Sequence, residues 1–229
     1  MALIDPDLLL RAYSIGVFPM SDSRDAADLF WVEPRKRAIL PIDGFHLSRS
    51  LRKTLRAGAF EVRRDTAFAE VIRLCAGRDE TWINDEIERS FVRLHELGHA
   101  HSIECRQDGA LVGGLYGVRL GGAFFGESMF STRTDASKVA LAWLVARLKV
   151  GGFRLLDCQF MTEHLRSLGA IEISQKEYLA LLASALSGGA DGAGVPAPGD
   201  TPDFGALDRL LAAHSAPAAA GAVVAELVA

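Results

Sequence analysis

Long apolar runs are missing from this 229-residue chain, and that absence bounds its class first. No run approaches the roughly 18 continuous apolar residues that a membrane helix needs, so no membrane partner is expected. Cysteine is scarce. Cys75, Cys105 and Cys158 are odd in number and far apart, which fits neither a disulfide framework nor a CxxC metal knuckle. Reduced thiols in a cytoplasmic protein are the expectation. The N-terminus carries Asp5 and Asp7 in place of a basic start and an apolar stretch, so no secretion signal is read. Positive charge almost vanishes from residue 187 onward, where one Arg faces five acids. Residues 33–64 carry nine Lys/Arg and three Asp/Glu, a local +6. The net charge of −4 therefore does not exclude an anionic partner; it confines one to a single face.

What is present is a generous apolar content, 49% of residues with a mean hydropathy of +0.17, so a real core is expected. The length suits one large domain or a small and a medium one. Asp5-Pro6 reads as a helix start, followed by extended residues 17–20, a short strand at 29–32 and another at 37–41. Residues 1–44 thus make a small N-terminal α/β unit with too little apolar surface to stand alone. Residues 48–56 form a short helix with Arg49, Arg52, Lys53 and Arg56 on one face. Beyond it come a strand at 60–64, a helix at 66–76, an amphipathic helix at 85–97 stopped by Gly98, and a strand at 101–106. Asp135 opens a helix apolar on most sides, which predicts burial. A strand at 153–159, a helical turn at 163–168, a strand at 171–173 and a helix at 177–186 complete a larger unit over 45–186. From residue 187 the composition turns to Ala, Gly and Pro. GGADGAGVPAPGD, residues 188–200, reads as a flexible linker, and 187–229 as a flexible tail with two weak helices at 208–214 and 218–228.

The organising stretch is VGGLYGVRLGGAFFGESMFS, residues 112–131. Two apolar runs meet at Leu120-Gly121-Gly122, a hairpin signal because glycine accepts positive φ without steric cost. The second run surrounds one acid, Glu127, with Phe124, Phe125, Met129 and Phe130. An acid so placed is costly unless it has a partner or a task.

Several chemistries can be tested on the sequence. His95-Glu96-Leu97-Gly98-His99 is a literal H-E-x-x-H, which on a helix would hold zinc with Glu96 as base. A third ligand at metzincin spacing would fall on Cys105 where His is needed, and Gly98 ends the helical pattern before His99. Gly126-Glu127-Ser128 resembles a nucleophile elbow, but Phe130 stands in place of the second glycine and a strand replaces the strand-to-helix turn. Residues 119–124 approximate an acetyl-CoA pyrophosphate loop, but they open a strand rather than a helix. The remaining constellation is Glu127 with Leu155-Leu156-Asp157-Cys158-Gln159. Asp157 and Gln159 are two apart and so share one sheet face. Beside the hairpin, the three would line one polar cleft with apolar walls, either to bind an amine and carry its proton or as an internal hydrogen-bonded network.

Taken together, Phe18-Pro19, Trp31, Ser48-Arg49-Ser50, Thr81-Trp82-Ile83, LHELGHAHSIE (94–104), VGGLYG (112–117), GESMFS (126–131), DCQ (157–159) and SLGA (167–170) resemble the leucyl/phenylalanyl-tRNA–protein transferase family. The match keeps one order over about residues 3–186. The resemblance implies an α+β fold, a small N-terminal domain plus a larger GNAT-like acyltransferase domain with a mixed β-sheet flanked by helices. It implies transfer of Leu, Phe or, less well, Met from aminoacyl-tRNA to proteins beginning with Arg or Lys, marking them for N-end rule degradation. It also implies that neither metal nor CoA is needed, the charged tRNA being the activated donor, and that HELGH is structural.

On that resemblance, Asp157 acting through Gln159 would orient the acceptor amine and help remove its proton, and Glu127 would hold an amino group or the ribose end of the donor. Leu115, Phe124, Leu144 and Leu156 would form the side-chain pocket. Trp31 and Trp82 would stack on the terminal adenine, and Arg49, Arg52, Lys53 and Arg56 would meet tRNA phosphates. Departures are Val17, where relatives often carry an aromatic residue, Leu115 in place of Met, and a tail without counterpart. A GNAT-like acyltransferase with another donor or acceptor, or a non-catalytic RNA-binding module on the basic helix, are the alternative functions.

Overall fold

The computed structural model describes residues 3–78, 80–187, 201–214 and 216–229. Asp5 caps α1 (Pro6–Ser14), its side chain accepting from the Leu8 N–H at 2.9 Å with Pro6 at the first position. β1 (Phe18–Met20) and β2 (Phe30–Val32) then pair as an antiparallel ribbon. Next come β3 (Lys36–Ile39), a 3-10 turn (Ile42–Gly44), α2 (Arg49–Arg56), β4 (Glu61–Arg64), α3 (Phe68–Ala76) and α4 (Asp85–Glu96). The chain continues through β5 (Ala100–Gln107), β6 (Ala110–Leu120), β7 (Ala123–Ser131), α5 (Ala136–Val150), β8 (Leu155–Gln159), α6 (Glu163–Ser167), β9 (Ile171–Ser174) and α7 (Gln175–Leu186). Two further helices follow, α8 (Ala206–Leu211) and α9 (Pro217–Leu227).

Seven strands form one mixed sheet in the order β4-β5-β6-β7-β8-β3-β9. Only β7 and β8 run parallel, and the chain between them is α5, as a parallel step requires a crossover. The architecture is α+β, with helices on both faces of the sheet. Strand alternation sorts the core into two layers. Leu115, Phe124 and Leu156 face α2, α5, α8 and α9, while Tyr116, Phe125 and Leu155 face α1, α3, α4 and α7. The α5 helix is buried nearly all round, as its continuous apolar sequence predicts.

Two expectations are corrected. A boundary at residue 44 assigns residues 36–39 to the N-terminal unit, yet β3 lies inside the large sheet between β8 and β9. Its partners are more than a hundred residues distant and leave no local signature. The tail is not flexible over its described part. Phe204, Leu207, Leu211, Val224 and Ala225 are buried in the core layer around α5. Buried Arg147 on α5 donates to the Phe204 carbonyl at 2.6 Å and to Asp208 at 2.9 Å. Small residues, read above as looseness, instead permit close approach: any Cβ on Gly221 would strike the Leu55 carbonyl of α2. The linker 188–200 lies outside the described residues.

Candidate functional site

The hairpin register contains an irregularity that sets the site. Tyr116 pairs with Ser128 and Gly117 with Gly126, so Glu127 is an extra, unpaired residue on β7. A β-bulge of this kind re-aims a side chain. It turns Glu127 toward a cavity of about 410 Å³ between the sheet, the β1–β2 ribbon and α5. Leu115, Leu141, Leu144 and Leu156 form its apolar part, and Trp82, Phe18 and Met20 close the opposite side.

Glu127 Oε1 accepts two hydrogen bonds, from Tyr13 Oη at 2.8 Å and Gln159 Nε2 at 3.0 Å. Its Oε2 is buried with no partner among the described residues. Burial pushes the carboxyl up to about 8; the Tyr13 hydrogen bond opposes the rise, Asp157 adds to it and Arg37 reduces it. Burial thus favours the protonated form of this acid. Oε1 already accepts twice, so among the described residues Oε2 is the oxygen left for a proton or a ligand.

Gln159 ends β8 in the left-handed region at φ 55°, uncommon for a side chain with a Cβ. Its N–H donates to Asp157 Oδ1 at 2.8 Å, which holds the turn that brings its amide to Glu127. Asp157 itself is wholly buried and does not line the cavity. Arg37 donates to it from Nε at 2.9 Å and from Nη2 at 2.6 Å, and Tyr178 Oη donates at 2.8 Å. The Arg37 guanidinium lies between the Phe18 and Tyr178 rings, 4.7 and 4.4 Å from their centroids, and also donates to the Gly16 carbonyl. Burial and the neighbouring carboxylates raise the Tyr13 and Tyr178 phenols, so both remain donors.

The structure thus brings Glu127 and Gln159 together at the cavity and sets Asp157 one layer behind, so the three do not share one cleft. Leu115, Leu144 and Leu156 line the cavity. Phe124 does not. It sits near the hairpin turn, opposite Arg119, with its ring stacked on Phe204 at 5.3 Å. It shares a core layer with Leu115 and Leu156 but lies farther along the hairpin. The two tryptophans are also apart: Trp82 lines the cavity, whereas Trp31 pairs with Pro19 on the ribbon, 40% exposed and outside the lining.

On α2, Arg49, Lys53 and Arg56 are exposed, Arg52 is half-buried, and Leu51 and Leu55 turn inward. Arg56 is paired with Glu226 of α9. In HELGH, α4 stops at Glu96, Gly98 takes φ 80°, and His95 Nδ1 bonds the Ala100 carbonyl at 2.8 Å, so the two imidazoles share no helical face. Sequence reasoning missed Tyr13, Arg37 and Tyr178. The available signal was Arg37 beside Ala38, Ile39 and Leu40: a cation entering an apolar strand needs a buried acid, and Asp157 was the candidate.

Among the described residues no helix is long and apolar enough to cross a membrane, and no group of three His, Cys, Asp or Glu is placed to hold a metal.

Comparison with known proteins identifies the family. The family model described as leucyl/phenylalanyl-tRNA protein transferase matches residues 39–183, and the model of that family's N-terminal domain matches residues 3–35. A leucyl/phenylalanyl-tRNA–protein transferase of Rhizorhabdus wittichii is 64% identical over 220 residues, covering 91% of this chain and 89% of its own. One from Zymomonas mobilis is 62% identical, covering 81% and 70%, and one from Cereibacter sphaeroides (strain ATCC 17025) is 58% identical, covering 87% and 92%. With family models matching both parts of the chain and relatives of 58–64% identity over most of it, this protein belongs to the leucyl/phenylalanyl-tRNA–protein transferase family and is an aminoacyltransferase.

Proposed function

We propose that the enzyme moves Leu, Phe or, less well, Met from aminoacyl-tRNA to the α-amino group of proteins beginning with Arg or Lys, marking them for N-end rule degradation. The observation that carries this reading is one cavity with leucine walls ending on the Glu127–Gln159 pair. An unbranched-at-Cβ apolar side chain fills the leucine end, which leaves the ester carbonyl at the polar end.

The ester is already high in energy, so the task is mainly positioning. The acceptor α-amine has an ordinary pKa of about 8 and must be neutral to attack. Its nitrogen forms the new amide bond as the ester C–O bond to ribose breaks, and the amine proton passes to the departing ribose oxygen. Gln159 uses its Nε2 on Glu127, leaving its amide oxygen as an acceptor for the attacking N–H. Asp157 acts as a positioning residue, holding Gln159 by its backbone while Arg37 and Tyr178 hold Asp157. Glu127 Oε2 meets an amino group or a ribose hydroxyl. An ammonium arriving there favours the carboxylate and lowers its pKa, so the proton is released to solvent.

Trp82 stacks on the terminal adenine, worth about 1–3 kcal/mol per base. Arg49, Arg52, Lys53 and Arg56 meet tRNA phosphates, so affinity falls with salt. Trp31 is placed to reach the nucleotide only from the exposed ribbon. The chemistry calls for neither metal nor CoA, and its donor places the reaction in the cytoplasm. The test is to incubate the protein with Phe-tRNA and a peptide beginning with Arg, then measure the mass added. A gain of one Phe residue, lost when the peptide amine is acetylated, is expected. No product with tRNA binding intact would overturn transfer and favour an RNA-binding module.

A further inference from the structure

Beside the main cavity lies a second, more open hollow of about 510 Å³. It is walled by the end of α3, the last residues of β7 and the first turn of α5, through Arg73, Arg78, Ser131, Thr132, Ser137 and His164. Arg78, Met129 and His164 line both spaces, so the two adjoin, and Arg78 is bonded to Ser128, the residue after Glu127. We propose that it is a binding site for the phosphodiester that joins the donor's terminal adenosine to the preceding nucleotide.

Charge and fixation carry the assignment. The ionisable side chains lining the hollow among the described residues are Arg73, Arg78 and His164, without an acid. Asp135, at the start of α5, is engaged by Lys138 at 3.0 Å. Arg78 is held in place: Nε donates to the Cys75 carbonyl at 3.2 Å and Nη2 to Ser128 Oγ at 2.9 Å. Among the described residues its Nη1 has no hydrogen-bond partner, and a guanidinium ordered beforehand loses less freedom on binding an anion. Thr132 and Ser131 add hydroxyls, and the Nε2 of His164 is buried with no partner among the described residues.

Such a wall repels an acceptor whose first side chain is Arg or Lys. The anion nearest the ester in the donor is the phosphate on the same nucleotide, which matches a hollow sharing three residues with the aminoacyl cavity. This assignment rests on the transferase reading above and adds to it the register of the RNA strand.

The test uses a fluorescently labelled RNA trinucleotide, C-C-A, titrated by anisotropy against the full chain. Arg73 and Arg78 are exposed, so Arg73→Glu and Arg78→Glu are expected to fold, with circular dichroism as the check. Each should weaken binding by about tenfold or more and lower the salt slope of log K by about 0.7, the value for one phosphate of a single strand. Affinity within about twofold of wild type in both variants overturns the site, as does no wild-type binding at about 1 mM. Binding is read without turnover. A protein that binds C-C-A through Arg73 but transfers no Phe defeats the transferase reading alone, and one that transfers Phe with unchanged C-C-A binding in both variants defeats this site alone.

Discussion

Arg37 and Asp157, 120 residues apart in sequence, form a fully buried ion pair in which one guanidinium contacts both carboxylate oxygens. The pair ties β3 to β8 and stands directly behind Gln159. Removing one partner leaves the other charge buried and alone, which costs about 3–5 kcal/mol. Arg37→Met should therefore lower unfolding free energy in urea by about that amount. Adding Asp157→Asn to it should cost less than the sum of the two single changes, because the lone charge is gone.

Glu127 links stability to pH. Its folded pKa, about 8, lies above the ordinary value of 4.5, so the folded state binds the proton more tightly than the unfolded state does. The stabilisation is fully present below about pH 4.5 and is lost as pH rises toward 8. Glu127→Gln keeps an oxygen for Tyr13 and Gln159 while removing the titration. The variant should show a flatter stability profile across that window and exceed wild type in melting temperature above pH 8, as differential scanning fluorimetry would show. A wild-type slope retained in the variant would contradict this account.

Leu144 sits on α5 against the apolar end of the cavity. Leu144→Phe adds bulk there and should penalise Phe more than Leu. One methylene in such a pocket is worth about 1–3 kcal/mol, so the Leu-over-Phe ratio of kcat/KM should rise by about tenfold or more. Parallel rates with Leu-tRNA and Phe-tRNA measure it.

Phe204 is 2% exposed and stacks on both Phe124 and His101. Phe204→Ala should cost about 3–5 kcal/mol, the usual loss for a buried aromatic. A melting temperature equal to that of wild type would mean that residues 201–229 do not belong to the core.

The sequence was informative where contacts are local and silent where they are not. Caps, periodicities and the Gly121-Gly122 turn are written in short windows, so most helices and strands fall within a few residues of expectation. Glu127 stood out because an acid among phenylalanines is chemically anomalous at any distance. Its bulge did not, since a bulge is a mismatch between two strands and each strand alone looks regular. Tyr13 and Arg37 reach Glu127 and Asp157 across 114 and 120 residues, and no periodicity encodes such pairing. Phe124 and Phe204 were misjudged together: stacking on each other takes one out of the pocket and the other out of the tail.

The position of β3 has a consequence for how the protein is made. Among the described residues its strand neighbours are β8 and β9, so residues 36–39 emerge from the ribosome long before residues 155–174 exist to pair with them. At about 5–20 residues per second the wait lasts several seconds or more. Throughout it, Ala38, Ile39 and Leu40 present apolar side chains, and the strand's amides lack sheet partners. The antiparallel block β4–β7 can form meanwhile from neighbours in sequence. One of the first strands synthesised is among the last to be seated, and until then Arg37 has no counter-ion.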